Sequence, residues 1–257
     1  MKRFIFFLYG IICYLIFFIT FLYAVGFVGN MVVPKTVDSG FQGGINYAWL
    51  IDILLLSLFA IQHSVMARQG FKKMWTKLIP RQIERSTYVL FSSIVLILLY
   101  VFWRPLESTA WNVQNTFAAS LITVIYFAGW FIVLTGTFMI NHFNLFGLQQ
   151  VFRYLKQQEQ ASPKFVKPLL YKIVRHPLML GFIIAFWAAP HMTIGHLLFA
   201  FATTGYILVA IQLEERDMIR VHGDDYIKYQ HEVSQIIPMP PKKEIEIGTV
   251  QQNYTGK

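Results

Sequence analysis

Six long apolar segments, separated by polar connections, dominate the pattern of hydrophobic and polar positions along the chain. They cover about residues 4–28, 46–66, 87–103, 117–140, 178–191 and 195–213. A helix needs roughly 20 mostly apolar residues to cross a bilayer, and each segment meets or nearly meets that length. The pattern therefore predicts an all-α integral membrane protein with a single multi-span domain over residues 1–238.

The fifth apolar segment is the weakest of the six, because it is short and contains Pro190. It and the sixth segment could form a tight re-entrant pair, so the pattern allows five or six transmembrane helices. The first apolar segment is longer than the roughly 7–15 apolar residues of a secretory signal, which favours a retained membrane anchor. Residues 239–257 are polar and predict a C-terminal tail outside the membrane domain.

The basic residues alternate between the two sides of the predicted membrane. All but two of the 22 lysines and arginines precede the first span, follow the last, or lie in the second and fourth connections. The exceptions are Lys35 and Arg104. The positive-inside rule therefore predicts that both termini are cytoplasmic, in what we expect to be a bacterial inner membrane. Topology and contact with the lipid bilayer account for the formal charge of +9, so no nucleic-acid partner is expected.

Polar residues recur where the predicted spans reach the cytoplasmic boundary. Gln62 and His63 end the second span, and Asn141 and His142 end the fourth. A single histidine at such a position is usually a hydrogen-bonded interfacial residue. Several predicted spans, however, place polar groups at the same depth in the membrane. That convergence favours a functional site.

Residues 171–238 carry the densest group of ionisable and aromatic side chains. The sequence Y-K-I-V-R-H-P-L-M-L-G opens a helical hairpin, and E-E-R-D, H-G-x-x-Y-x-x-Y and I-I-P follow its second helix. Because both ends of a two-helix hairpin lie on one side of a bilayer, Arg175 and His176 are expected to meet Glu214 and Glu215. A purely structural alternative is that Arg175 and Glu215 form an ion pair that holds the two ends of the hairpin together. This structural role is compatible with a role in a functional site.

No metal site is expected from the ligand pattern. The chain has seven histidines and a single cysteine, Cys13. None of the histidines forms the i, i+4 pair with a nearby carboxylate that indicates a catalytic metal. A single cysteine also excludes a disulfide within the chain and a cysteine zinc site.

These motifs together resemble the integral-membrane methyltransferases, a superfamily that includes the isoprenylcysteine carboxyl methyltransferases and the phospholipid methyltransferases. R-H-P-x-x-x-G, followed by E-E and then G-x-x-Y-x-x-Y, is similar to their C-terminal signature. Four upstream motifs resemble the nurim-like branch: Q-H-S-V-M-A-R at 62–68, E-R-S at 84–86, W-R-P at 103–105 and N-H-F-N-L-F-G-L-Q-Q at 141–150. Met179 stands where the isoprenylcysteine enzymes usually carry Tyr, which argues against a prenylated-peptide substrate.

The resemblance implies an S-adenosylmethionine-dependent enzyme, and within this branch one that methylates a small thiol, methanethiol, to dimethyl sulfide. It implies that the cofactor lies at the cytoplasmic boundary against the half of the domain at about 167–238. The residues implied to hold it are Tyr171, Arg175, His176, Pro177, Gly181, Glu214, Glu215, His222 and Tyr226. Either glutamate would accept hydrogen bonds from the ribose, Arg175 would pair with the cofactor carboxylate, and Gly181 would allow close backbone approach.

Methyl transfer to sulfur requires aligned reactants and an attacking thiolate. Because a small alkyl thiol is mostly protonated at neutral pH, His63 or His142 is expected to take its proton or to orient it. Asn141 and Gln62 are expected to position the thiol. An apolar pocket is predicted from three aromatic residues: Phe143, Phe146 and Trp103.

Four alternatives stay open at this point. The substrate could be another small thiol, a lipid or an isoprenylcysteine, because no span or spacing specifies methanethiol. The chain could also be a non-catalytic nurim-like membrane protein. The presence of both the R-H-P and the E-E elements argues against the non-catalytic alternative, since a structural relic does not need paired carboxylates beside a helix end.

Overall fold

The computed structural model describes residues 1–40, 47–159 and 166–239 of the chain. Within these ranges, five helices are long and apolar enough to cross a membrane. They are α1 (Lys2–Gly29), α2 (Ala48–Ala67), α4 (Glu84–Phe102), α5 (Thr116–Met139) and α9 (Ile194–His222). The all-α integral membrane class is therefore confirmed, while nearly all of the predicted tail, 239–257, lies outside the described residues.

Shorter elements connect the spanning helices. They are α3 (Gln69–Trp75), α6 (His142–Leu145), α7 (Leu148–Leu155), a 3₁₀ turn (Leu169–Lys172), α8 (Pro177–Trp187), α10 (Asp224–Glu232) and the strands β1 (Thr109–Asn112) and β2 (His191–Thr193). Two spanning helices begin at capping side chains: Asn115 accepts from Ala118 N at 2.9 Å and Thr193 accepts from His196 N at 3.1 Å. These caps satisfy backbone N–H groups that a first helical turn leaves unpaired.

The fifth apolar segment crosses the bundle as a short helix followed by extended chain. Helix α8 has 11 residues and rises about 16 Å, roughly half of the hydrocarbon thickness of a bilayer. Residues 188–193 complete the crossing, because β2 pairs antiparallel with β1 in the connection between α4 and α5. The structure thus has five spanning helices and a sixth crossing that is only partly helical, instead of a re-entrant pair.

The extended part of this crossing has its backbone groups satisfied by β1 and its neighbours. Val113 N donates to Pro190 O at 2.9 Å, and Ile194 N donates to Ser108 O at 2.7 Å. The indole of Trp111 donates to Ala189 O at 3.0 Å. Non-helical backbone is tolerated at membrane depth only where protein groups satisfy it, and these bonds meet that requirement.

The two ends of the bundle differ in chemistry. We call the end where α1, α4 and α8 begin and α2, α5 and α9 end the basic face, because most basic residues flank those helix termini. The other end is the opposite face. Helix α7 lies along the start of α1 at the basic face, where its fully buried Val151 fills the space that Gly10 leaves open.

Trp103 lies at the opposite face, so the expectation that it lines a pocket with Phe143 and Phe146 is wrong. Its fully buried indole donates to Val37 O at 2.9 Å, beyond the end of α1. The next residue, Arg104, donates its backbone N–H to the buried Asp52 at 2.8 Å. The W-R-P motif therefore joins the ends of α1, α2 and α4, at the other end of the bundle from His63 and His142.

Two glycines allow α5 and α8 to pack backbone to backbone. A Cβ on Gly181 would lie 2.7 Å from Gly129 O, and a Cβ on Gly129 would lie 2.7 Å from both Gly181 O and Ala185 N. Small residues at helix contacts permit this spacing in membrane proteins. The close backbone approach that the sequence predicts at Gly181 is thus made to α5, and it explains the glycine without a cofactor.

Replacing Gly181 with Ala should therefore push α8 away from α5. The clash is with backbone atoms, which cannot rotate away, so we expect a loss of about 1–3 kcal/mol of stability. Gly205→Ala is the matched control, because a Cβ on Gly205, inside α9, would meet no atom within 4 Å. Thermal unfolding of both variants in detergent checks the prediction, and equal melting temperatures would contradict it.

Candidate functional site

Glu215 is the centre of a closed polar network at the end of α9. Its Oε1 accepts hydrogen bonds from Arg175 Nε at 2.7 Å and from His176 Nε2 at 3.0 Å. Its Oε2 accepts from Gln230 Nε2 at 2.8 Å and from Gln235 Nε2 at 3.3 Å. The side chains of Arg175 and Glu215 are only 9% and 7% exposed. The ion pair expected from the hairpin topology is therefore present and buried.

The same network attaches the chain after α9 to the start of α8. Arg175 also donates to Gln230 O at 2.9 Å and to Val233 O, both beyond the first turn of α10. The backbone N–H of Arg175 donates to Ser234 O at 2.8 Å, and that of His176 to Gln235 O at 3.1 Å. Pro177 then begins α8 at its first position, where the missing N–H costs nothing.

Glu214 has a different environment, although it is the next residue along the chain. Its side chain is 50% exposed, and its Oε2 lies 3.8 Å from Nδ1 of the His176 ring. Burial, followed by the negative charge of Glu214, raises the pKa of the Tyr171 phenol well above its usual value. Burial and the charges of both glutamates do the same to the pKa of Tyr226. Glu214 is thus a largely open carboxylate beside two phenols.

Tyr226 and Tyr229 lie next to each other on α10. Both rings are buried, lie 5.7 Å apart and pack with Val233. The hydroxyl of Tyr229 donates to Tyr171 O at 2.5 Å, which ties the 3₁₀ turn to α10. His222 ends α9 two residues before α10 begins, and its predicted contact with the cofactor stays a prediction.

His63 connects α2 to α4 through two hydroxyl groups. Its Nε2 lies 2.8 Å from the hydroxyl of Tyr88, and its Nδ1 lies 3.2 Å from Ser92 Oγ. Gln62 also reaches Ser92, from 3.4 Å, and leaves its own carbonyl oxygen buried without a hydrogen bond in the described part of the chain. The hydroxyl of Tyr88 also donates to His63 O at 3.4 Å, and Ser92 Oγ accepts from Gln62.

His142 is held by two hydroxyl groups as well, but in one orientation. Thr137 Oγ1 donates to Leu134 O at 2.6 Å and therefore accepts from His142 Nδ1 at 2.8 Å. The other ring nitrogen, Nε2, then accepts from the hydroxyl of Tyr14, on α1, at 2.8 Å. Burial lowers the pKa of His142, which keeps the ring neutral at pH 7. The ring stacks on Phe138 with centroids 4.3 Å apart.

Asn141 acts as the cap of α6. It has φ +84°, in the left-handed region, and its side chain accepts from Asn144 N at 3.1 Å. Asn144 in turn donates to Gln149 Oε1 at 2.7 Å, which holds the α6–α7 turn together. The structure gives Asn141 a role in shaping the turn that presents His142, and its predicted contact with the thiol stays a prediction.

Gly147 brings this turn against the start of α4. It has φ +89°, and a Cβ there would lie 2.7 Å from the backbone N of Ser86. An apolar cluster then fills the space between the two histidines and contains Met66, Tyr88 and Val89 with the neighbouring rings of Phe17, Phe71 and Phe146. Phe146 thus packs in a filled apolar cluster at the basic face, and the part of Phe143 and Phe146 in a substrate pocket stays a prediction.

Two residues that hold the histidines, Tyr14 and Tyr88, were not predicted from the sequence. Tyr88 follows E-R-S by two positions, and one helical turn separates it from Ser92, so the polar stripe on α4 is a signal that points to it. Tyr14 has a weaker signal, a phenol within the apolar run of α1. Its partner is 128 positions away, and no local pattern predicts such a pairing.

One protein family matches most of the chain. The profile of the family described as NnrU protein matches residues 52–235. The chain belongs to the NnrU family. The match contains His63, Tyr88, His142 and the whole Glu214–Glu215 network, whereas Tyr14 and α1 precede it. No solved structure matches the chain significantly.

Curated relatives of this NnrU-family chain align over most of its length. Methanethiol S-methyltransferase 1 of Bradyrhizobium diazoefficiens is 56% identical, covering 92% of this chain and 83% of that protein. Methanethiol S-methyltransferase of Mycobacterium tuberculosis is 51% identical, covering 93% and 98%. Nurim of Rattus norvegicus is 29% identical, covering 66% and 67%. The resemblance to the nurim-like branch is thereby confirmed.

Proposed function

We propose that this protein is an S-adenosylmethionine-dependent methyltransferase that converts methanethiol to dimethyl sulfide, with its basic face in the cytoplasm. The 56% identity over 92% of the chain to a protein named for that reaction is the observation that carries the proposal. The placement of an open carboxylate and two histidines at one end of the bundle supports it. A site at this boundary receives a charged cofactor from water and a volatile apolar thiol from water or lipid.

Glu214 is the carboxylate that fits the cofactor. When bound, S-adenosylmethionine supplies an activated methyl group on a sulfonium, together with ribose hydroxyls that donate hydrogen bonds. Glu215 has both oxygens engaged by protein donors, whereas Glu214 is half-exposed and offers its acceptors. Of the two glutamates that the sequence leaves open, Glu214 therefore holds the ribose and attracts the sulfonium.

The other proposed cofactor residues form two groups: those that contact the cofactor, and those that hold the contacting residues in place. Tyr171, His176 and Tyr226 flank Glu214, so they form the walls of the cofactor site, with His222 at its rim. Arg175 forms an ion pair with Glu215, so it acts indirectly, by fixing the positions of the residues that surround the cofactor. Pro177 and Gly181 act through the start of α8 and its packing on α5.

The thiol binds between α2, α4 and α6, beside the apolar cluster around Tyr88 and Phe146. His63 is the base, and the thiol proton reaches it through the Tyr88 hydroxyl, which lies 2.8 Å from Nε2 and turns from His63 O to donate to that nitrogen. We assign the base to His63 and not to His142 because Tyr88 also lies against the Arg85 guanidinium. His142 therefore orients the thiol or shapes the wall, with Gln62 and Asn141 positioning the groups around it.

Headspace gas chromatography of membranes incubated with S-adenosylmethionine and methanethiol tests the proposal. Wild-type membranes should release dimethyl sulfide, and Glu214→Gln should weaken cofactor binding by about 10- to 100-fold, as expected for a lost hydrogen bond to a charged group. Glu232→Gln is the matched control, because Glu232 is exposed on α10 and pairs with Lys167.

Two negative results would mean different things. Wild-type protein that binds the cofactor and releases no dimethyl sulfide would contradict methanethiol as the substrate and would direct attention to larger thiols and lipids. Wild-type protein without cofactor affinity would contradict the enzymatic function altogether and would support the non-catalytic alternative.

A further inference from the structure

Arg85 is a half-buried arginine at the junction of the two histidine sites. It lies in the first turn of α4, with its guanidinium carbon 5.1 Å from the ring centroid of Tyr88. Its Nε donates to Leu145 O at 2.7 Å, three residues after His142. The side chain is therefore fixed between the phenol that contacts His63 and the turn that carries His142.

The charge of Arg85 is not neutralised by a carboxylate in the described part of the chain. Neighbouring arginines of the basic face are paired: Arg68 with Asp217 at 2.8 Å and Arg175 with Glu215 at 2.7 Å. Arg85 forms no such pair within residues 1–40, 47–159 and 166–239, and its bond to Leu145 O uses only Nε. Its terminal amino groups can therefore face an anion that is not part of the protein.

Charged groups of both signs surround Arg85. Burial and the charge of Arg85 lower the pKa of Lys72, on α3. The charged and titratable groups that share this environment are His63 and Arg68 on α2, Lys72 on α3, Glu84 and Tyr88 on α4, His142 on α6, and Tyr206, Glu214 and Asp217 on α9. Arg68 and Asp217 form an ion pair, whereas neither Glu84 nor Glu214 pairs with Arg85, so its guanidinium lies beside Tyr88 without a bound carboxylate among the described residues.

We propose that Arg85 contacts the sulfur of the substrate and stabilises its thiolate form. This role rests on the proposed thiol methylation. The thiol S–H bond breaks and its proton leaves through Tyr88 to His63. The thiolate electron pair then forms the new S–C bond to the methyl group, while the S–C bond of the sulfonium breaks and returns its pair to the cofactor sulfur. Charge balances, because an anion and a cation become two neutral thioethers.

The pH dependence of methyl transfer tests this role. A nearby cation lowers the pKa of an acid by about 1–3 units, and each unit is tenfold in the ionised fraction. Arg85→Gln should therefore reduce kcat/KM for methanethiol by about 10- to 100-fold at pH 7. The defect should shrink as pH rises, because the thiol ionises without help at alkaline pH. Arg85→Lys should recover part of the rate.

Two further measurements separate this role from a structural one. Arg81→Gln, an exposed arginine one turn earlier, should leave the pH profile unchanged, and Arg85→Gln should keep the wild-type affinity for S-adenosylmethionine. Trifluoroethanethiol is more acidic than ethanethiol, so the same variant should lose less activity with it. If the activity lost in Arg85→Gln were the same at every pH and for both thiols, the inference would be overturned. That would hold even if the wild-type protein produced dimethyl sulfide. Wild-type protein that methylates no thiol would instead overturn the proposed function.

Discussion

Replacing Glu215 with Gln should destabilise the folded protein by about 3–5 kcal/mol, because it leaves a buried guanidinium without its counter-charge. The side chains of Arg175 and Glu215 are 9% and 7% exposed, so water cannot replace the lost partner. The same carboxylate also accepts from His176, Gln230 and Gln235. One substitution thus weakens four hydrogen bonds that join α9 to the start of α8, to α10 and to the segment after α10.

Glu214→Gln provides a control at the adjacent position. Its side chain is 50% exposed, and substitutions at such sites usually change stability by less than about 0.5 kcal/mol. Thermal unfolding in detergent, followed by the fraction of protein that remains monodisperse, should show a large loss for Glu215→Gln and almost none for Glu214→Gln. Equal melting temperatures in the two variants would contradict the network described above.

Cofactor affinity should rank the two variants in the opposite order. Glu214→Gln should fold normally and bind S-adenosylmethionine weakly. Glu215→Gln, measured at a temperature where it is still folded, should bind with less impairment. A variant that loses stability but keeps cofactor affinity identifies a structural carboxylate, and a variant that keeps stability but loses affinity identifies a ligand-binding one. Sequence alone cannot do so, because the residues are neighbours of identical chemistry.

Much of the fold could be predicted because membrane spans are specified locally. About 20 apolar residues per helix and alternating basic connections are properties of short windows. The pairing of Arg175 with Glu215 was also predictable, since hairpin topology alone brings the two positions together. Trp103 was misplaced although the alternation already assigns the following Arg104 to the far side. The error came from treating an aromatic residue in a motif as part of the site.

The crossing through residues 188–193 could not be predicted for a different reason. Its backbone is satisfied by β1, about 80 positions earlier, and by the indole of Trp111. Such pairings depend on how helices are arranged in space: Pro190 indicates that a helix ends there, and nothing in the window indicates the partner of the extended chain. Tyr14 was missed for the same reason, because the rotation of α1 decides which partner its hydroxyl meets, whereas the polar stripe on α4 did offer a signal for Tyr88.

Replacing His63 with Gln should lower kcat by about 100- to 10,000-fold, the usual contribution of a general base. Glutamine retains polar atoms near the hydroxyls of Tyr88 and Ser92, so the fold and the cofactor affinity should stay close to wild type. Tyr88→Phe should give a smaller loss, because it interrupts the relay and leaves the base in place. Single-turnover methyl transfer at saturating cofactor measures the chemical step directly.

His142→Gln is the matched variant for this test. Its ring is fixed by Thr137 and Tyr14 in a single neutral tautomer, so we expect its loss to raise KM for the thiol more than it lowers kcat. The acid limb of the pH–rate profile should move to higher pH in His63→Gln, where turnover depends on thiol that ionises in solution, and should stay near its wild-type position in His142→Gln. If the limb moved in His142→Gln instead, the base would be assigned to the α6 turn, and the relay through Tyr88 would be wrong.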